Sequence, residues 1–117
     1  MSSRLLCFAL DLKDDAELTA RYRAWHAPGG PPAAVIRSIR DAGIEEMQIF
    51  LAGNRLFMMM EIGAHFSLAA KAASDAADPA VQAWERQMEE FQQFLPFAKP
   101  GEKWVAMERI FALSEQP

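Results

Sequence analysis

An α+β fold with the split β-α-β order of ferredoxin-like domains is what this sequence predicts. Three observations carry that expectation: strand-like apolar runs lie near both ends of the chain, a strand hairpin sits in the middle, and helical spacing separates them. At 117 residues, with 51% hydrophobic and 24% charged content, the chain has the size and balance of one globular domain spanning residues 1–117.

Arg4 to Leu12 is short, apolar and bounded by Lys13-Asp14-Asp15, the pattern of a strand buried on both faces. Asp14 or Asp15 then offers an N-cap, and Leu18, Tyr22 and Trp25 or His26 follow at three-and-four spacing, so a helix is expected over about 15–26. Ala27-Pro28-Gly29-Gly30-Pro31-Pro32 breaks it. A second helix starts near Pro32, turns Val35, Ile36 and Ile39 inward, and stops at Gly43, which can take the left-handed C-terminal position. Met47 to Leu51 and Leu56 to Ile62 read as strands whose connection, Ala52-Gly53-Asn54-Arg55, is short enough to force a hairpin. Ala69 to Ala77 reads as a weak helical turn. Asp78-Pro79 opens a helix with one continuous apolar stripe, Val81, Trp84, Met88, Phe91 and Leu95. After the Pro96 and Pro100-Gly101 breaks, Trp104 to Leu113 reads as the fourth strand.

The strand faces say more than the order. Leu6, Phe8 and Leu10 fill one side of the first strand while Leu5, Cys7 and Ala9 fill the other, and Leu56, Met58 and Met60 oppose Phe57 and Met59 in the same way. Helices on one side of a sheet would leave the second apolar face wet. A homodimer packed sheet against sheet is therefore expected, an α/β barrel assembled from two chains.

Charge and motifs narrow the function. A net charge of −4 with Lys and Arg scattered among Asp and Glu leaves no basic stripe for phosphates, so nucleic acid is not an expected partner. No run approaches membrane-spanning length, and the first twelve residues lack the pattern of a secretory signal, which points to the cytoplasm. The single cysteine, Cys7, has no second thiol for a disulfide or a metal pair and reads as a small strand residue. There is no phosphate-cradling glycine loop, paired-histidine zinc signature or nucleophile elbow. Neither a metal nor a cofactor is expected.

What remains is a cluster at the end of the first helix, where Tyr22 and His26 stand four apart and share a face with Leu18. An imidazole titrating near neutrality beside a phenol makes a proton-transfer pair, whereas the simpler reading has His26 complementing the helix terminus and Tyr22 packing in the core. Trp84 is core, or a flat ring for the CH-rich face of a sugar. Glu61 and Glu108 lie within apolar strands, where a carboxylate needs a partner such as Arg109 or a wet cleft holding substrate. His65, in a Gly-Ala-His-Phe loop, reads as solvated surface.

Tyr22-Arg23-Ala24-Trp25-His26-Ala27-Pro28 resembles the Tyr-x-x-x-His-x-Pro helix end of L-rhamnose mutarotases. The resemblance continues through Gln48 to Leu51, Asn54 to Phe57, Met60 to Ile62, the Val81 to Trp84 helix and the closing stretch from Glu108 to Leu113. It implies a cofactor-free enzyme that interconverts the α and β anomers of a 6-deoxy-L-hexose, with His26 as general acid or base, Tyr22 holding a sugar hydroxyl and Trp84 facing the ring. Glu61 and Glu108 would support them. Two departures stand out: Trp84-Glu85 replaces two adjacent tryptophans, and Gly29-Gly30-Pro31-Pro32 replaces a bulkier loop start. The stretch Lys99 to Trp104 looks closer to relatives that handle L-fucose, which ranks that sugar ahead of L-rhamnose.

Two other classes use small dimeric ferredoxin-like domains, since fold alone does not decide function. One is a cofactor-free or haem-related oxygenase, with His26 as an axial ligand; the other is a non-catalytic stress-response module.

Overall fold

The computed structural model describes residues 4–117, so the first three residues of the amino-terminal stretch read above lie outside it. The chain runs β1 (Arg4–Leu12), α1 (Ala16–Trp25), α2 (Ala33–Asp41), β2 (Ile44–Ala52), β3 (Arg55–Ile62), α3 (Leu68–Ala77), α4 (Pro79–Glu89), β4 (Gln92–Gln93) and β5 (Val105–Ala106), then a 3₁₀ turn at Leu113–Glu115. The strands form one antiparallel sheet in the order β2-β3-β1-β4, and β5 pairs with the same edge of β1 as β4 does. That is the ferredoxin-like arrangement the element order predicts.

Cross-strand register sorts the side chains by face. Phe8 opposes Met58 and Leu10 opposes Leu56, while β2 brings Ile49 to Met58 and Leu51 to Leu56. These point to the helices. Leu10, Leu12, Leu56 and Ile62 are almost completely buried there, each contributing on the order of 1.5–3 kcal/mol of apolar transfer. The opposite face carries Leu5, Cys7, Ala9, Phe50, Phe57 and Met59, and Leu5 and Phe50 stay 60% and 51% exposed. At the hairpin end of that face the buried carboxylate of Asp11 is bound by two Arg55 nitrogens, at 2.8 and 3.2 Å. Breaking this pair would leave a buried charge unmatched.

Helix ends follow local chemistry. Asp15 caps α1 by accepting from the Leu18 amide at 2.9 Å, and Asp78 caps α4 by accepting from Ala80 at 2.9 Å, with Pro79 in the first helical position. Beyond α2, Gly43 takes the left-handed conformation (φ +93°).

Four expectations need correction. The stretch near Ala69 is a full helix because Ser67 caps it, accepting from the Ala70 amide at 3.1 Å. β2 starts at Ile44, ahead of Met47. The stripe from Val81 does not stay helical to Leu95: α4 ends at Glu89, and the chain turns so that Gln92 and Gln93 pair with Leu12 and Asp11 of β1. Phe91 and Leu95 remain buried outside the helix. Of the expected fourth strand only Val105–Ala106 forms, as β5, and one further bond, Met107 N–H to the Cys7 carbonyl, ends the pairing. Ile110, Phe111 and Leu113 then lie 90%, 64% and 78% exposed, outside any strand. No helix among the described residues is long and apolar enough to cross a membrane.

Candidate active site

Between the helix-covered sheet face and the helices lies a cavity of about 570 Å³, within the roughly 300–1,000 Å³ of small-molecule sites. Phe8, Met58 and Met60 form its floor, and Val35 and Ile39 of α2 line one wall. Tyr22, His26 and Trp84 all reach it, as the sequence predicts.

The three come together because α1 ends there. Tyr22 lies one turn before His26, and their rings stack with centroids 4.2 Å apart and planes 29° from parallel. The His26 centroid is 5.6 Å from that of Trp84, which Trp25 meets edge to face at 6.2 Å. After His26 the chain folds sharply back: Gly30 donates its amide to the Ala27 carbonyl at 2.8 Å. A Cβ at residue 30 would collide with the Trp25 carbonyl. Glycine at this position is what lets the loop close tightly on the end of α1.

His26 Nδ1 lies 2.7 Å from the Tyr22 carbonyl oxygen. A carbonyl only accepts, so Nδ1 carries the hydrogen and Nε2 keeps a free lone pair. Burial pushes the imidazole below its ordinary value of 6.5, partly offset by that backbone hydrogen bond. The ring is therefore neutral at pH 7 and has its basic nitrogen available. Burial also raises the Tyr22 phenol, with a hydrogen bond from the Gln92 side chain acting the other way, so its O–H stays protonated. The Gln92 Oε1 is itself buried without a hydrogen-bond partner among the described residues.

Glu61 and Glu108 do not join this group. Alternation along β3 puts Met58 and Met60 over the cavity and Glu61 on the opposite face, level with Leu5 and Glu46. Glu108 sits in the exposed stretch after β5, and Arg109 pairs instead with Glu115 at 2.8 Å. The charged groups that line the cavity are others: Lys71 and Asp75 from α3, Glu85 from α4, and Lys103, which bonds Glu89 at 3.1 Å. Glu85 could have been found as the neighbour of Trp84. Lys103 and Gln92 carried no signal, because only the packing of β4 and β5 against β1 brings them in. His65 is exposed, as expected. Among the described residues no three His, Cys, Asp or Glu side chains are grouped to hold a metal ion.

The sequence profile of L-rhamnose mutarotases matches residues 5–113. The chain belongs to the L-rhamnose mutarotase family. Within it, this chain is 52% identical over 115 residues to an L-fucose mutarotase of Xanthomonas campestris, covering 98% of this chain and 92% of that protein. It is 32% identical over 109 residues to a UPF0734 protein of Dictyostelium discoideum, covering 90% and 86% respectively. A crystal structure of an L-rhamnose mutarotase from Formosa agariphila has the same fold, with a TM-score of 0.65 at 18% identity over 95% of this chain and 99% of that one.

Proposed function

We propose that this member of the L-rhamnose mutarotase family interconverts the α and β anomers of a 6-deoxy-L-hexose, with L-fucose ahead of L-rhamnose as the substrate. The observation that carries the chemistry is the neutral His26 ring lining the cavity, its Nδ1–H tied to the Tyr22 carbonyl and its Nε2 left with a free lone pair. The 52% identity to an L-fucose mutarotase supports the choice of sugar.

The reaction needs only proton movement. Nε2 takes the proton from the anomeric hydroxyl as the bond between the anomeric carbon and the ring oxygen breaks, giving the aldehyde. The imidazolium returns the proton to the former ring oxygen, which left the same carbon. Rotation of the aldehyde exposes its other face, and the reverse steps close the ring to the opposite anomer. Tyr22 donates its O–H to a sugar hydroxyl, and the Trp84 ring lies against the sugar's CH face. No metal or cofactor enters any step.

The enzyme works as a homodimer in the cytoplasm. Support for the dimer comes from the uncovered apolar sheet face and from the exposed Ile110, Phe111 and Leu113, which one protomer leaves in water. The lone cysteine, with no disulfide partner, fits a reducing compartment.

The test is a panel of L-fucose, L-rhamnose and common aldoses followed by saturation-transfer NMR. Faster anomer exchange is expected for L-fucose first and L-rhamnose next. No acceleration for any aldose overturns the reading.

A further inference from the structure

Helix α3 is built the wrong way round for a surface helix. Its solvent side is alanine, with Ala69, Ala70, Ala73, Ala76 and Ala77 exposed, while its two charged residues, Lys71 and Asp75, turn inward and line the cavity. A surface helix ordinarily puts charge outside and apolar groups inside. Lys71 Nζ donates to Asp75 Oδ2 at 2.7 Å, and the side chains are only 17% and 18% exposed. A solvent-facing pair at this spacing contributes little, so a helix brace gains little from taking two charges out of water.

We propose that Lys71 and Asp75 form a second polar subsite that reads a vicinal pair of hydroxyls on the sugar, away from the anomeric carbon that His26 serves. The proposal rests on the sugar reading of the same cavity. Asp75 spends one carboxylate oxygen on Lys71, and among the described residues neither side chain makes another hydrogen bond. The free oxygen accepts from one hydroxyl, and the remaining ammonium protons donate to its neighbour, a match that a diol provides and an apolar ligand does not. The pair is held in place from α4, where Gln82 Nε2 donates to the Asp75 carbonyl at 2.9 Å two residues before Trp84. Phe8, Met58, Met60 and Phe66 line the same cavity with apolar surface suited to a deoxy carbon. The pair therefore selects the sugar and leaves proton transfer to His26.

Three variants test this: Asp75→Asn, the apolar double change Lys71→Met with Asp75→Leu, and the exchanged pair Lys71→Asp with Asp75→Lys. L-fucose binding is read from tryptophan fluorescence, and KM and kcat from anomer exchange by NMR, with thermal melting alongside. Loss of hydrogen bonds to charged groups should raise Kd and KM on the order of 10 to 100-fold while kcat changes little. The exchanged pair should regain the melting temperature and not the affinity, and a sugar lacking one ring hydroxyl should lose its disadvantage in the apolar variant. Unchanged Kd and KM with a lowered melting point, or full rescue by the exchanged pair, would show a structural brace and overturn the proposal. If wild type binds L-fucose without exchanging its anomers, the mutarotase reading falls, and an unaltered Kd in the variants still overturns the subsite while a raised one supports it. Wild type that binds no monosaccharide of the panel overturns both.

Discussion

The two faces of the sheet are built from the same kinds of residue and have different fates. On one, Phe8, Met58 and Met60 meet helices that do not fill the space above them, and the gap is lined by Tyr22, His26 and Trp84. On the other, Phe50 and Phe57 meet with ring centroids 6.0 Å apart, and Phe50 stays 51% exposed. Apolar content cannot distinguish a face that lines a cavity from one left open to solvent. Polar groups delivered by a helix end can, and only the covered face has them.

The largest effect should come from the covered face. His26→Ala is expected to slow anomer exchange on the order of 100 to 10,000-fold, with stability lowered by about 0.5–1.5 kcal/mol for the lost Nδ1–H bond to the Tyr22 carbonyl. Near wild-type turnover with a lowered melting point would reduce His26 to a cap. On the bare face, Phe57→Lys with Met59→Lys should dissociate the dimer in light scattering, since each loses about 1.5–3 kcal/mol of apolar burial, roughly tenfold or more in dissociation constant. A wild-type chain that is already monomeric at micromolar concentration contradicts the assignment of that face. The smallest effect should be Tyr22→Phe, which keeps the stacked ring and removes one hydroxyl contact: a loss of about 0.5–1.5 kcal/mol, read as a modest fall in kcat/KM.

How far the sequence revealed these faces depends on whether the signal was local. β1 and the capped helices α1 and α4 were legible because alternation, Asp15 and Asp78-Pro79 act over a few residues. Tyr22 and His26 were legible for the same reason, one turn apart on one helix. Glu61 drew attention as a carboxylate in an apolar strand, although the parity of β3 already separated it from Met58 and Met60. The stretch after Ala106 alternates like a strand and is not one, because after the Met107 N–H bond to the Cys7 carbonyl the chain leaves the edge of β1 instead of following it toward Arg4. Gln92 is polar and strand-poor, and it enters the sheet only through the far end of β1. Lys71 and Asp75 gave no signal in the sequence, which shows their separation and not which side of α3 faces the cavity.

A joint titration of the imidazole and the rate tests whether a neutral His26 is the base. Nitrogen-15 NMR should show hydrogen on Nδ1 and a bare Nε2 at neutral pH, titrating below the ordinary 6.5 because burial disfavours the charged ring. The exchange rate should hold at neutral pH and fall as pH drops through that same lowered value, as Nε2 is protonated. Sign and stability agree: a depressed folded value means the folded state gains from the neutral ring above 6.5 and loses that gain on acidification through the lowered value. A hydrogen found on Nε2 at neutral pH, or a rate that stays flat while His26 titrates, would contradict the account.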